Sequence, residues 1–110
     1  MPADYEPAQV ACTLTAADHA ARIAWIEELN ATALDSYQRD GQRMRLRYHP
    51  AVAARARELV RREQECCPFL RFTTQEDQDA FVVIIDAPIE LGTAADDLFA
   101  PYIRPGGQPR

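Results

Sequence analysis

Three cysteines carry the clearest chemical signal in the sequence, and two of them are adjacent. Cys66 and Cys67 lie in the segment EQECCPFLRF, residues 63 to 72, and Cys12 lies near the N-terminus. Pro68 cannot donate a helical hydrogen bond and disfavours the α conformation at the residue before it, so the spacing predicts a helix that ends at this pair. The two thiols are therefore expected where a helix stops and a buried strand begins.

The position of the pair decides which thiol chemistry to expect. Neighbouring side chains on a helix point about 100° apart, so a bond between Cys66 and Cys67 is not expected. Thiolates are stabilised at helix N-termini or beside cations, whereas this pair lies at a helix C-terminus close to Glu63 and Glu65. The same field attracts a cation, and a soft metal ion deprotonates its own thiol ligands.

These residues predict a soft-metal site with Cys12, Cys66 and Cys67 as thiolate ligands. Glu63 lies one turn before Cys67 and is expected as a ligand, an outer partner or a proton acceptor. If the strand that carries Cys12 neighbours the strand after Pro68, three sulfurs converge, which suits mercury(II), arsenic(III) or copper(I). Zinc needs a fourth ligand, for which Glu63 and His49 are the candidates. On the residues alone, core cysteines without a metal are the more common arrangement.

Hydrophobic periodicity predicts the elements that position these residues. We expect a strand at 10–14, a long helix from about 15 to 39 that Asp40-Gly41 closes, and a strand at 42–48. A helix from Pro50 to the cysteine pair, strands at 69–74 and 81–85, and a last helix at 89–99 follow. This order predicts an α/β fold, a two-layer sandwich of one mixed four-stranded sheet with helices on one face, ferredoxin-like or of related topology. Strand-helix-strand units favour parallel pairing.

Composition and length limit the function classes. The chain has 110 residues, a net charge of −5 and twelve basic residues, all of them arginine. This acidic balance argues against nucleic acid as a partner, and no apolar run is long enough to span a membrane. The N-terminus lacks a secretory signal pattern, so we expect a cytoplasmic protein with three reduced thiols. We expect a flexible arm at 1–8, a single α/β domain at 9–100 and a flexible tail at 101–110.

Several of these residues form a recurring pattern, which comprises Cys12-Thr13-Leu14, Glu63, Cys66-Cys67, Phe69, Phe72, Pro88 and Leu98-Phe99. Through this pattern, residues 10 to 99 resemble a small domain family that occurs beside or fused to heavy-metal-responsive regulators of the MerR type. The resemblance implies a role accessory to metal resistance or sensing, without a mechanism. It also implies an accessory domain that stands without a DNA-binding helix-turn-helix part.

Three hypotheses follow from the residues and the resemblance. The first is a soft-metal or metalloid binding domain that uses Cys12, Cys66 and Cys67. The second is a thiol enzyme, for example one that cleaves organomercurials, with Glu63 or Asp86 moving the proton. The third is a non-catalytic homodimer in which the cysteines are core residues and the uncovered sheet face or the aromatic residues of the long helix form the interface.

Overall fold

The computed structural model describes residues 16 to 103 and 108 to 109. Over these residues the chain forms, in order, α1 (Ala16–Ala33), β1 (Leu34–Asp40), β2 (Arg43–Tyr48), α2 (Ala53–Cys66), β3 (Arg71–Glu76), β4 (Phe81–Asp86), α3 (Ala94–Ile103) and the two-residue β5 (Gln108–Pro109). Short 3-10 turns at Pro50–Val52 and Ile89–Leu91 precede α2 and α3. No helix in this part of the chain is both long and apolar enough to cross a membrane.

The strands form one sheet in the order β3-β4-β2-β1-β5. Neighbours among β1 to β4 are all antiparallel, and β5 pairs with β1 in parallel. The strands that α2 connects, β2 and β3, therefore run in the same direction but are separated by β4. The predicted α/β two-layer sandwich is confirmed, whereas the parallel pairing expected across a helical connection is wrong for β1 to β4. Strand β4 lies between β3 and β2, in the interior of the sheet. Its apolar sequence FVVIID fits this position, because the strand is buried or half-buried along its length.

The long helix ends earlier than the sequence pattern predicts. The segment from Leu34 to Asp40 is strand β1 and pairs with β2, so the expected helix from 34 to 39 is wrong. Gly41 and Gln42 form the two-residue loop between the strands, and Gly41 has a φ of +62°. A glycine with positive φ at the first central position is the requirement of a type II′ hairpin turn. Asp40-Gly41 is therefore part of a hairpin turn and does not cap a helix.

The alternation in β2 gives the sheet two chemically different faces, as predicted. The residues of β2 that face the helices are each 0% exposed and comprise Met44, Leu46 and Tyr48. Their neighbours on the outer face are arginines, and two of these contact carboxylates: Arg43 pairs with Asp86 at 2.7 Å, and Arg47 lies 3.7 Å from Asp35. The hydrophobic core consequently lies between the inner face of the sheet and the helices.

The C-terminal helix extends past the predicted domain boundary. Helix α3 continues to Ile103, and the Tyr102 side chain is 0% exposed. The expected boundary at residue 100 therefore falls inside a packed helix, and residues 101 to 103 belong to the folded domain. The predicted arm at 1–8, the predicted strand at 10–14 and Cys12 lie outside the described residues.

Candidate functional site

The cysteine pair lies at the end of α2, as the position of Pro68 predicts. Cys66 is the last helical residue, and the backbone of Cys67 leaves the helix with φ −129° and ψ 71°. The Cys67 amide donates the last helical hydrogen bond to the Glu63 carbonyl at 2.7 Å, and the Cys67 carbonyl accepts one from the Leu70 amide at 3.1 Å. Both side chains are buried, with 8% of Cys66 and 2% of Cys67 exposed.

The two sulfurs are in different chemical states. Cys66 is a free thiol, whereas Cys67 is disulfide-bonded. The expectation of three reduced thiols is therefore wrong at Cys67, although the expectation that these neighbours do not bond to each other is confirmed. The consequence is that Cys66 is the free thiol of the pair and that Cys67 reacts as a thiol only after reduction.

Gln64 fixes the turn that carries the pair into β3. Its side-chain amide donates to the Leu70 carbonyl at 2.8 Å, and its side-chain carbonyl accepts from the Phe72 amide at 3.2 Å. One side chain thus satisfies backbone groups on both sides of residue 71. These two hydrogen bonds attach the segment of residues 67 to 70 to the last turn of α2.

Glu63 forms the centre of a buried charged cluster beneath Cys66. The Arg22 guanidinium donates from Nε to Glu63 Oε2 at 2.7 Å and from Nη2 to Oε1 at 2.5 Å. The Tyr102 hydroxyl also donates to Oε1. Only 1% of the Glu63 side chain and 12% of the Arg22 side chain are exposed. Both carboxylate oxygens are therefore occupied by donors, and Glu63 joins α1, α2 and α3.

A second buried hydrogen-bonded group continues from Tyr102 into the sheet. The Asn30 side-chain amide donates to the Tyr102 carbonyl at 2.5 Å, and the Tyr48 hydroxyl donates to the Asn30 carbonyl oxygen at 2.7 Å. Sequence reasoning missed the roles of Arg22, Tyr48 and Tyr102. The available signal was that Asn30 and Glu63 lie on apolar helix stripes, since buried polar side chains require hydrogen-bond partners.

Burial sets the protonation of the Cys66 thiol. Removal from water raises the pKa of Cys66, Arg22 lowers it, and Glu63 raises it further, with a net increase above the ordinary value. Burial opposes the charge on Arg22, but the hydrogen bonds and charge of Glu63 outweigh this effect, and the pKa of Arg22 is raised. Burial also raises the pKa of the Tyr102 hydroxyl, with a further increase from Glu63. Cys66 is consequently protonated near neutral pH, as expected from its place at the helix C-terminus.

A cavity of about 440 Å³ opens between α1 and the last turns of α2. Its walls include Asp18, Arg22, Trp25, Arg62, Glu65 and Cys66. The Arg62 guanidinium stacks on the Trp25 ring with its carbon 4.2 Å from the ring centroid. The volume exceeds what a single ion needs and falls within the range of small-molecule pockets, roughly 300–1,000 Å³.

The structure does not bring all of the predicted site residues together. In the described part of the chain, no three His, Cys, Asp or Glu side chains form a group that could hold a metal ion. His49 precedes α2 and Cys66 ends it, so the 14 residues of the helix separate them by roughly 20 Å. Asp86 pairs with Arg43 on the outer face of the sheet, away from the helices. His49 therefore cannot share a zinc ion with Cys66, and the role of Asp86 as a proton carrier stays a prediction.

No protein-family model, curated protein or solved structure matches the chain. The resemblance to the MerR-associated domains therefore stays a prediction.

Proposed function

We propose that the protein binds a soft metal or metalloid ion, such as mercury(II), arsenic(III) or copper(I), through the thiolates of Cys12, Cys66 and Cys67. The disulfide at Cys67 makes the reduced protein the binding form. The observation that carries the proposal is the free Cys66 thiol immediately beside a sulfur that is bonded to another cysteine.

The disulfide supports the convergence of sulfurs. A disulfide forms only between cysteines whose Cα atoms approach within about 7 Å, so reduction releases two thiols that start side by side. The chain contains three cysteines, and Cys66 is free. Cys66 is the neighbour of Cys67 in the chain, so reduction leaves its thiol close to the two that are released. Three sulfurs are the donor set that thiophilic ions prefer.

Glu63 has a different role in this proposal from the one that its spacing predicts. Its two oxygens accept hydrogen bonds from Arg22 and Tyr102, and its side chain is 1% exposed. Breaking a buried ion pair to coordinate a soft ion is unfavourable, because carboxylate is a hard ligand and Arg22 would be left buried and uncompensated. Glu63 therefore acts as a support that fixes the last turn of α2.

The test is a titration of fully reduced protein with mercury(II), arsenite, copper(I) and zinc, followed by native mass spectrometry and ultraviolet thiolate-to-metal absorption. We expect a tight one-to-one complex with at least one soft ion. Replacement of Cys12, Cys66 or Cys67 by Ser should weaken it by more than the roughly 100-fold that loss of an outer hydrogen-bond partner of a metal ligand costs.

The disulfide form of the same protein is the matched control. It retains a single free thiol of the pair, so arsenite, which favours three sulfurs, should bind only after reduction. Equal arsenite binding by the two forms, or no effect from any Cys→Ser change, would contradict the proposal and favour cysteines with a purely structural role.

The predicted compartment and oligomeric state belong to the same proposal. In the cytoplasm, thiol reductants keep most disulfides open, and this is where a reduced binding form would persist. A homodimer would use the outer face of the sheet. Ile84, near the middle of that face, is only 5% exposed in the single chain, so this residue would add little apolar surface to such an interface. Sedimentation at several protein concentrations measures the oligomeric state directly.

A further inference from the structure

We infer that the cavity beside Cys66 binds a low-molecular-mass zwitterionic thiol, of the amino-acid or small-peptide class, that carries the soft metal ion to the protein. The inference rests on the proposed function and names the form in which the ion arrives. The wall of the cavity supplies both the reacting sulfur and groups suited to the carrier.

The cavity wall carries charges of both signs. Arg22 and Arg62 supply donors for a carboxylate, and Asp18 and Glu65 supply acceptors for an ammonium group. The hydrogen bonds of Arg22 to Glu63 use Nε and Nη2, so its Nη1 edge is the donor that we assign to the carrier carboxylate. The two arginines would repel a bare metal cation. An amino acid carries both a carboxylate and an ammonium group, so it matches both sets of charges.

The size of the cavity gives the same result. A volume of about 440 Å³ accommodates an amino-acid thiol together with a metal ion. Trp25 and the stacked Arg62 form one wall, and the stack holds the guanidinium in place at 4.2 Å from the ring centroid. A fixed guanidinium loses less side-chain entropy on binding a carboxylate than a mobile one.

The transfer is a ligand exchange without oxidation or reduction. A bond forms between the Cys66 sulfur and the metal, and one bond between the metal and a carrier sulfur breaks. The Cys66 proton passes to the departing carrier sulfur, which leaves as a neutral thiol. In a mercury(II) complex of two carriers, the second carrier stays bonded to the metal and lies in the cavity. The immediate product is therefore a ternary complex of protein, metal and one carrier.

The experiment offers the disulfide form of the protein a mixture of the mercury(II) complexes of cysteine and of 2-mercaptoethanol, which lacks both charges. Native mass spectrometry counts the two ternary adducts, and the fluorescence of Trp25, the single tryptophan of the chain, reports occupancy of the cavity. The quantity compared is the ratio of the cysteine adduct to the mercaptoethanol adduct. We expect this ratio to be about tenfold higher in the wild type than in the Arg62→Gln variant. Arg55→Gln removes the same charge from an exposed position of the same helix outside the cavity wall, so it is the matched control and should keep the wild-type ratio.

The outcomes separate this inference from the proposed function. If the reduced protein binds mercury(II) but the ratio of adducts is unchanged by Arg62→Gln, the carrier site is refuted and metal binding stands. The carrier site is also refuted, and metal binding stands, if neither carrier forms a ternary adduct with the protein. If the reduced protein binds no soft ion, both fail. Loss of the ternary adduct in Cys66→Ser, together with an unchanged ratio in Arg55→Gln, supports the inference.

Discussion

The Cys66 thiol lies where the cavity meets the buried pair of Arg22 and Glu63. Its surroundings hold it protonated, because burial and Glu63 together outweigh the effect of Arg22. A thiol in this state reacts slowly with electrophiles at neutral pH but remains able to bind a soft metal, which displaces the proton. The site is therefore built for ligand exchange and poorly suited to nucleophilic attack.

Alkylation of Cys66 by iodoacetamide tests this protonation state. A folded-state pKa above the ordinary value of 9.0 predicts a rate that reaches half its maximum only above pH 9.0. The raised pKa also predicts how Cys66 contributes to the free energy of unfolding. This contribution is fully present below pH 9.0 and is lost as the pH rises through the folded-state pKa. The protein unfolded in urea, with its disulfide intact, is the control. A folded-state midpoint at or below that of the unfolded chain would contradict the assignment.

For single residues, the sequence predicts well the features that depend on neighbouring positions. It predicts poorly the contacts between residues that are far apart in the chain. The end of α2 at the cysteine pair follows from Pro68, a neighbour in the chain. The partners of Glu63 lie 41 and 39 residues away, at Arg22 and Tyr102. Nothing in the spacing of a carboxylate shows whether a cation will reach it in the folded chain. The roles expected for Glu63 at a metal could therefore not be distinguished from a structural one.

The helices of the domain are joined by charge as well as by apolar packing. Arg22 on α1 and Glu63 on α2 form the ion pair, and Tyr102 on α3 donates to the same carboxylate. Loss of one member leaves the other buried without compensation, whereas loss of both leaves an apolar contact that can repack.

We expect Glu63→Gln to lower the free energy of unfolding by about 3–5 kcal/mol, since the Arg22 charge stays buried. The double variant Arg22→Met with Glu63→Leu should recover much of this loss. Urea denaturation followed by circular dichroism measures the free energy of unfolding of the wild type and of each variant. Glu65→Gln, two residues along the same helix with a side chain that is 74% exposed, is the control and should change stability by less than about 0.5 kcal/mol. A Glu63→Gln protein as stable as the control would show that the pair is dispensable.

The boundary between α1 and β1 illustrates why element predictions fail. Ala33, Leu34 and Tyr37 continue the helical spacing of α1, so periodicity alone extends the helix. The Asp40-Gly41 turn creates a hairpin in which β1 pairs with β2 along its length, apart from one irregularity between Leu34 and Ser36. Tertiary pairing then outweighs local preference. A Gly that follows Asp between two segments fits a hairpin turn as well as a helix end, and only the second was expected.

The domain as a whole depends on its C-terminal helix. Tyr102 is 0% exposed and is hydrogen-bonded to Glu63 and, through its carbonyl, to Asn30. The sequence pattern ended the last helix near Phe99, because the prolines and glycines that follow are typical of a tail. The hydrogen bonds of Tyr102 connect elements from both ends of the chain and could not be read from either end alone.

Two truncations test the boundary. Ending the chain after Ile103 should preserve cooperative unfolding, because α3 remains complete. Ending it after Ala100 removes Tyr102, so Glu63 loses one of its donors and the Asn30 side-chain amide loses its acceptor. We expect this to lower the thermal midpoint by at least about 10 °C. Calorimetry of the two shortened proteins and the full chain provides the comparison. Equal midpoints for the two truncations would place the boundary at residue 100 after all.

The position of β4 between β2 and β3 imposes an order on folding. The chain reaches β3 before it makes β4, yet β3 can join the sheet only through β4. The β1-β2 and β3-β4 hairpins are local in sequence and close quickly, on the microsecond scale of such turns. The pairing of β2 with β4 spans the whole of α2 and carries the larger loop-closure entropy. Docking of two preformed hairpins along β2 and β4 is therefore the step that we expect to limit the folding rate.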